Sequence, residues 1–137
     1  MSHITRAVNT GGLAFEVELQ GHTFWLDGDE SVGGSDKGPR PKAMLLSGLA
    51  GCTGMDVASI LAKMKMPYER LTLEIDAHQT DEHPKVYDKI HIKYIFAGDE
   101  LDHSKIEKAI KLSQDKYCGA SAMLRETAEI TYEIVTE

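Results

Sequence analysis

The chain has 137 residues, of which 42% are hydrophobic and 27% are charged, and its net charge is −7. A chain of this length usually forms one domain that buries about two-thirds of its unfolded surface. The negative charge argues against nucleic acid and anionic membranes as partners, because both require a basic protein surface. We therefore expect a single globular domain over residues 1–137.

One apolar segment raises the question of a membrane span. Residues 43–62 contain a single charged residue, Asp56, and are long enough to cross a bilayer. The polar residues Ser47 and Thr53 dilute this segment, however, and favour the buried central helix of a globular protein. Residues 1–12 lack the apolar core of a signal peptide, and the chain has only two cysteines. We therefore expect a cytoplasmic protein without a membrane span or a structural disulfide.

Alternating apolar residues near the start of the chain predict a β-hairpin. Its strands cover residues 13–19 and 22–26, and Gln20-Gly21 forms the turn. Residues 27–41 then form a glycine-rich loop, which lacks the spacing and the Lys-Ser/Thr ending of a phosphate-binding loop.

A long apolar helix and two strands occupy the middle of the chain. Because proline suits the first helical turn, the helix is predicted from about Pro41, and it is predicted to end at about Met64. Period-two alternation then predicts strands over residues 71–77 and 90–96.

A second helix and a last strand complete the pattern. Ser104 and Glu107 form a predicted capping box, Gly119 is predicted as the C′ residue, and residues 127–137 alternate as a strand. The order ββ-α-ββ-α-β predicts an α+β fold with a mostly antiparallel sheet. The first helix is too apolar to leave half exposed, so we expect a homodimer in which a second copy covers it.

Three glycines surround one of the two cysteines. Gly48, Gly51 and Gly54 lie three residues apart around Cys52, although each glycine costs a helix about 1 kcal/mol relative to alanine. A stripe of missing side chains either lets another backbone approach or leaves open space beside the thiol. Buried cysteines are common on apolar helices, so this stripe alone does not establish catalysis.

A nucleophilic cysteine generally needs a nearby cation or a helix N-terminus. Cys52 lies far from the predicted start of its helix, so a cation is needed. Arg40 is the preferred candidate because a guanidinium group stays charged and can hold an oxyanion. Asp56, one turn after Cys52, would oppose thiolate formation if it faced the same space; a cation or a hydrogen bond is expected to satisfy it. The other candidate cations are Arg6, Lys37 and Lys42.

The second cysteine, Cys118, follows the second predicted helix, 66 residues after Cys52. If the two helices pack together, its thiol could condense with a sulfenic acid on Cys52. The spacing leaves an ordinary structural cysteine equally open. The six histidines form no metal-binding pattern, so we expect no metal and no bound cofactor.

Several segments together resemble the OsmC/Ohr family of thiol-dependent peroxide reductases. They are PKAMLLSGLAGC, DVASIL and KYCGASAML, and the segments LDG and GSDKGPRP resemble most its short YhfA-like branch. The resemblance covers nearly the whole chain. It implies an OsmC-like fold in which mostly antiparallel sheets surround two long central helices, within an intertwined homodimer.

The resemblance also implies a chemistry. Cys52 matches the peroxidatic cysteine and Cys118 the resolving cysteine, organic hydroperoxides are the implied substrates, and an external dithiol such as a lipoyl group is the implied reductant. Catalytic members hold an arginine against the thiolate with a glutamate early in the cysteine helix, where this chain has Lys42 and Ala43. That departure favours an alternative, a redox-sensing or small apolar ligand-binding protein with weak or no peroxidase turnover.

Overall fold

The computed structural model describes all 137 residues. They form six strands and three α-helices in two compact units, residues 1–45 and 46–137. Three of the four strand pairings are antiparallel, so the predicted α+β class with mostly antiparallel sheets is confirmed. The assignment of residues 1–137 to a single domain stays a prediction.

The first unit contains a three-stranded antiparallel sheet of β1 (Thr5–Val8), β2 (Phe15–Leu19) and β3 (His22–Leu26). The predicted hairpin is confirmed, and its turn residues Gln20 and Gly21 have φ values of 51° and 80°. Two successive positive φ angles are what a two-residue type I′ turn requires. The sequence did not reveal β1 because all four of its residues are exposed, so no alternation marks it.

A buried carboxylate organises the loop that follows this sheet. Asp27 is 2% exposed, and its carboxylate accepts backbone N–H groups from Gly28 at 2.7 Å, Ser35 at 3.1 Å and Lys37 at 3.1 Å. The hydrogen bond from Lys37 is the largest of the effects that lower the pKa of Asp27. An ionised Asp27 therefore holds the start of this loop against Ser35 and Lys37 further along it.

We expect Asp27→Asn to destabilise the first unit and to make the stability of that unit depend less on pH in the acid range. The pKa of Asp27 is lower in the folded protein than its ordinary value of 3.8. The stabilisation that the ionised carboxylate provides is therefore complete at a pH above 3.8 and is lost as the pH falls through the pKa of the folded state. The fluorescence of Trp25, the only tryptophan, reports the change, since Lys37 lies 5.0 Å from its ring centre. The exposed control Asp99→Asn should keep the acid transition of the parent protein.

The second unit contains a mixed sheet of β4 (Arg70–Gln79), β5 (Tyr87–Ala97) and β6 (Glu129–Thr136), with β5 in the centre. β4 is antiparallel to β5, whereas β6 is parallel to it because the intervening helical segment carries the chain back across the sheet. The predicted strand alternation is confirmed. The buried face of β5 carries Ile90, Ile92, Tyr94 and Phe96.

The long apolar helix α1 (Met44–Lys63) packs in the same core. It begins three residues after its predicted start at Pro41, because residues 41–43 form a turn. Length and composition would allow it to span a membrane, but a core helix passes the same test. Its buried residues recur every four positions, as expected for a helix packed along one side. They are Leu49, Thr53, Val57 and Leu61.

The second predicted helix is α2 (His103–Leu112), which continues as a π-helical turn (Ser113–Tyr117) and ends at Cys118. A further helix, α3 (Gly119–Arg125), follows it. The predicted end of this helix, next to Cys118, is therefore observed, but Gly119 begins a third helix that the sequence did not predict. The cause is local: the N–H of Cys118 donates to the carbonyl of Ser113 at 2.7 Å, and Cys118 then adopts an extended backbone.

The start of α2 also differs in detail from the prediction. Asp102, not Ser104, is the N-cap, and its carboxylate accepts the N–H groups of Ser104 and Lys105. An aspartate at this position is as effective a cap as serine, and the sequence offered both within three residues.

Candidate redox site

The two cysteines, distant in sequence, lie side by side in the second unit. Cys52 is on α1 and Cys118 immediately precedes α3, and their Sγ atoms are within 4.8 Å of each other. Both are free thiols. Because a disulfide requires about 2 Å between the sulfur atoms, a movement of a few ångströms would join them. The sequence left open whether the two cysteines lie close together, and the structure shows that they do.

The two thiols differ in exposure. Cys52 is partly exposed, whereas Cys118 is only 3% exposed. Burial raises the pKa of the Cys118 thiol and nearby Cys52 raises it further, while hydrogen bonding by Ser121 acts in the opposite direction. A small molecule from solution can therefore reach Cys52, and Cys118 is held behind it as a thiol.

Asp56 faces the same space as the thiols. It lies one turn after Cys52 on α1, and a carboxylate oxygen is within 4.8 Å of both sulfur atoms. The hydroxyl of Ser113 donates to its Oδ2 atom at 2.9 Å. The expected hydrogen bond of Asp56 is therefore present, and its partner is a neutral hydroxyl group.

A chain of buried hydroxyl groups leads away from Asp56. The Thr53 hydroxyl lies 2.8 Å from that of Ser113 and 2.7 Å from that of Tyr94, and the Gln114 side-chain amide donates to both Thr53 and Tyr94. Ser113 has one proton, which it donates to Asp56, so Thr53 donates to Ser113 and Tyr94 donates to Thr53. Every proton in the chain therefore points towards the carboxylate.

Arg125 fixes the far end of this network. Its guanidinium group donates to the backbone carbonyl of Gln114 at 3.1 Å and to the side-chain Oε1 at 3.2 Å, which orients the amide. Burial is the main cause that raises the pKa of Tyr94, so its phenol stays neutral and can donate. Sequence reasoning missed these residues, and the only signal was the polar residue Thr53 in a largely apolar helix.

We expect Thr53→Val to destabilise the protein by about 1–3 kcal/mol, because it leaves the buried hydroxyl groups of Ser113 and Tyr94 short of a partner. Valine has nearly the same shape as threonine, so the loss of stability measures the contribution of the hydrogen bonds. Urea denaturation measures it, with the exposed Thr136→Val as the matched control. An equal effect of the two substitutions would show that the network contributes nothing to stability.

The glycine stripe of α1 has two different environments. A Cβ atom on Gly48 or Gly51 would have no neighbour within 4 Å, whereas one on Gly54 would lie 3.3 Å from the Leu73 side chain. Gly54 therefore permits close packing of α1 on β4. Gly48 and Gly51 leave open space on the helix that carries Cys52.

The predicted cation Arg40 belongs to the first unit. Its guanidinium group forms ion pairs with Asp36 at 2.8 Å and Asp29 at 3.3 Å, and the hydrogen bond to Asp36 raises the pKa of Arg40. It is therefore a permanent cation. A role for Arg40 at the thiolate of Cys52 stays a prediction.

Arg40 also borders an apolar cavity of about 610 Å³ within residues 7–41. The cavity lies between the first sheet and the loop that Asp27 organises. Its size falls within the range of small-molecule sites. Its apolar walls are formed by Ala7, Leu13, Phe15, Leu26, Val32 and Pro41.

Comparison with known proteins gives a consistent result. Residues 34–133 match the family model described as OsmC-like protein. The chain is 32% identical over 127 residues to Protein YhfA of Escherichia coli strain K12, and the match covers 90% of this chain and 92% of that protein.

Solved structures share the fold. A hypothetical protein from Aquifex aeolicus VF5 superimposes with a TM-score of 0.84 and 26% identity, covering 100% of this chain and 98% of that one. The organic hydroperoxide resistance protein OhrB of Bacillus subtilis superimposes with a TM-score of 0.65 and 15% identity, covering 98% of both chains. At 15% identity the second likeness establishes the fold alone.

Proposed function

Because this chain belongs to the OsmC-like protein family, we propose that it is a thiol-dependent peroxidase that reduces organic hydroperoxides. The observation that carries the proposal is the pair of free thiols within 4.8 Å, of which Cys52 is partly exposed and Cys118 is buried. The substrate class is supported by the hydroperoxide resistance proteins that share the fold.

The proposed reaction has two steps. In the first, the Cys52 thiolate attacks the terminal oxygen of the hydroperoxide, the O–O bond breaks, and the leaving alkoxide takes a proton to become an alcohol. In the second, the Cys118 sulfur attacks the sulfenic acid on Cys52, and water leaves as the disulfide forms. An external dithiol then reduces the disulfide, and a lipoyl group is our proposed form of that dithiol.

We also propose that the protein acts as a cytoplasmic homodimer. The large side chains of Leu45 and Met55 on α1 are 53% and 75% exposed, an apolar surface that a second copy would cover. Analytical ultracentrifugation of the reduced protein tests this directly. A monomer at micromolar concentration would rule out a stable dimer.

The test of the proposed reaction starts from fully reduced protein. Addition of tert-butyl hydroperoxide should produce a Cys52–Cys118 disulfide, seen by intact-mass spectrometry as the loss of two hydrogens and by peptide mapping as one crosslinked pair. Reduction by dihydrolipoamide should restore both thiols. If Cys52 stayed a free thiol in excess hydroperoxide, the proposal would fail.

We expect Arg40→Gln to slow the oxidation of Cys52 by about tenfold or more, since a fixed cation that stabilises developing charge is commonly worth that much. Stopped-flow measurement of the first oxidation gives the rate. Arg70→Gln is the matched control, because Arg70 is an exposed arginine that forms an ion pair with Glu137. Equal rates in the two variants would remove Arg40 from the mechanism.

The cavity in the first unit favours a second candidate function, the binding of a small apolar ligand without peroxidase turnover. Its apolar walls and its volume of about 610 Å³ suit a ligand of fatty-acid type. A fluorescent fatty-acid analogue should then bind the parent protein and Cys52→Ser equally, and bind Phe15→Ser more weakly. Absence of binding to the parent protein would exclude this function.

A further inference from the structure

We propose that Cys52, Asp56 and Cys118 together bind one thiophilic divalent cation, represented by Zn²⁺, when the protein is reduced. This inference goes beyond the peroxidase reaction and does not depend on it. It concerns three side chains whose donor atoms, two sulfurs and one carboxylate oxygen, all lie within 4.8 Å of one another.

The geometry suits tetrahedral coordination. Zinc binds thiolate sulfur at about 2.3 Å and carboxylate oxygen at about 2.0–2.2 Å, which places tetrahedral ligand atoms about 3.5–3.8 Å apart. The three donor atoms, which are within 4.8 Å of one another, need to approach by about 1.3 Å or less to reach that arrangement. Cys52 and Asp56 are four residues apart on α1 and so project from one face, and Cys118 approaches from the end of the π-helical turn.

The charges of the three side chains also favour a bound cation. The Asp56 side chain places an acidic group beside both thiols. The hydrogen bond that Asp56 accepts comes from neutral Ser113, which leaves the negative charge uncompensated by that contact. A divalent cation would balance this carboxylate and the two thiolates at once.

The surroundings resemble the outer shell of a metal site. The Ser113 hydroxyl orients the Asp56 carboxylate, and the Ser121 N–H donates to the Cys118 sulfur at 3.3 Å. The Ser121 hydroxyl is fully buried without a hydrogen-bond partner, so it is available to donate to a Cys118 thiolate. Such groups hold metal ligands in position and commonly change affinity by about 10–100-fold when removed.

The chemical nature of the donor atoms determines which divalent ion the site prefers. Two thiolates favour thiophilic ions such as Zn²⁺ over Mg²⁺ and Ca²⁺, which prefer oxygen ligands only. Because Cys52 is partly exposed, a fourth position remains for water or another small ligand.

The experiment uses the full-length, reduced, metal-free protein under anaerobic conditions. Titration with Co²⁺ should produce one sulfur-to-metal charge-transfer band per chain, together with the intense visible bands of tetrahedral Co²⁺. Competition with a chromophoric chelator then gives the affinity for Zn²⁺. The variants are Asp56→Asn, which is isosteric, Cys118→Ser and Ser113→Ala, and the control is Asp115→Asn, which removes an equal charge at an exposed site nearby.

We expect Asp56→Asn and Cys118→Ser to weaken Zn²⁺ binding by at least about a hundredfold and Ser113→Ala by about tenfold, with Asp115→Asn unchanged. Circular dichroism verifies that each variant is folded. Absence of the charge-transfer band, or equal affinity in the parent protein and Asp56→Asn, would overturn the proposal. Peroxide assays on metal-free protein are separate, so loss of either property is distinguishable from loss of the other.

Discussion

Replacing Cys52 with serine is expected to lower the rate of hydroperoxide consumption by about a thousandfold or more, because serine at the same position supplies no thiolate nucleophile. Cys118→Ser should behave differently. Its Cys52 should still be oxidised once, at close to the parental rate, but no intramolecular disulfide can form. Consumption of hydroperoxide by metal-free protein with a dithiol reductant measures turnover, and trapping with dimedone detects the sulfenic acid on Cys52.

The two variants separate attack from resolution. In Cys118→Ser the dimedone adduct should accumulate on Cys52, whereas Cys52→Ser should give no adduct at all. Ser47→Ala, an exposed substitution on the same helix, should match the parent protein. A Cys52→Ser protein with the parental rate would show that another group reduces the substrate.

Replacing Phe96 with alanine is expected to destabilise the protein by about 3–5 kcal/mol, since the lost transfer free energy adds to that of the cavity left behind. Phe96 is fully buried on β5, and its ring packs edge-to-face on Tyr68 at 5.6 Å between centroids. This loss is large relative to the usual stability of a domain, about 5–15 kcal/mol. Urea denaturation followed by circular dichroism measures the free energy of unfolding.

The control is Met123→Ala, which truncates a side chain that is 73% exposed and should change the free energy of unfolding by about 0.5 kcal/mol or less. A change of under about 1 kcal/mol for Phe96→Ala would contradict the view that β5 is the centre of the core. Tyr94 lies two residues before Phe96 on the same face of β5.

The sequence predicted the elements whose buried and exposed sides appear as a regular pattern of apolar and polar residues. β5 was predicted because its alternating residues are buried on one face, and the hairpin turn was predicted because Gln20-Gly21 separates two alternating segments. β1 was missed because it is exposed along its whole length. α3 was missed because a glycine that follows a helical pattern predicts the end of a helix, whereas Gly119 here begins the next one.

The sequence by itself determined most of the element types, though not β1 or α3, together with the buried faces and the two cysteine segments that mark the OsmC-like family, since each depends on neighbouring residues. Only the tertiary structure decided that Cys52, Asp56 and Cys118 share one space. That arrangement depends on how α1 packs against the π-helical turn and β5. Packing is set by the fit of core side chains that are distant along the chain, such as Thr53 and Tyr94, and no local pattern encodes that fit.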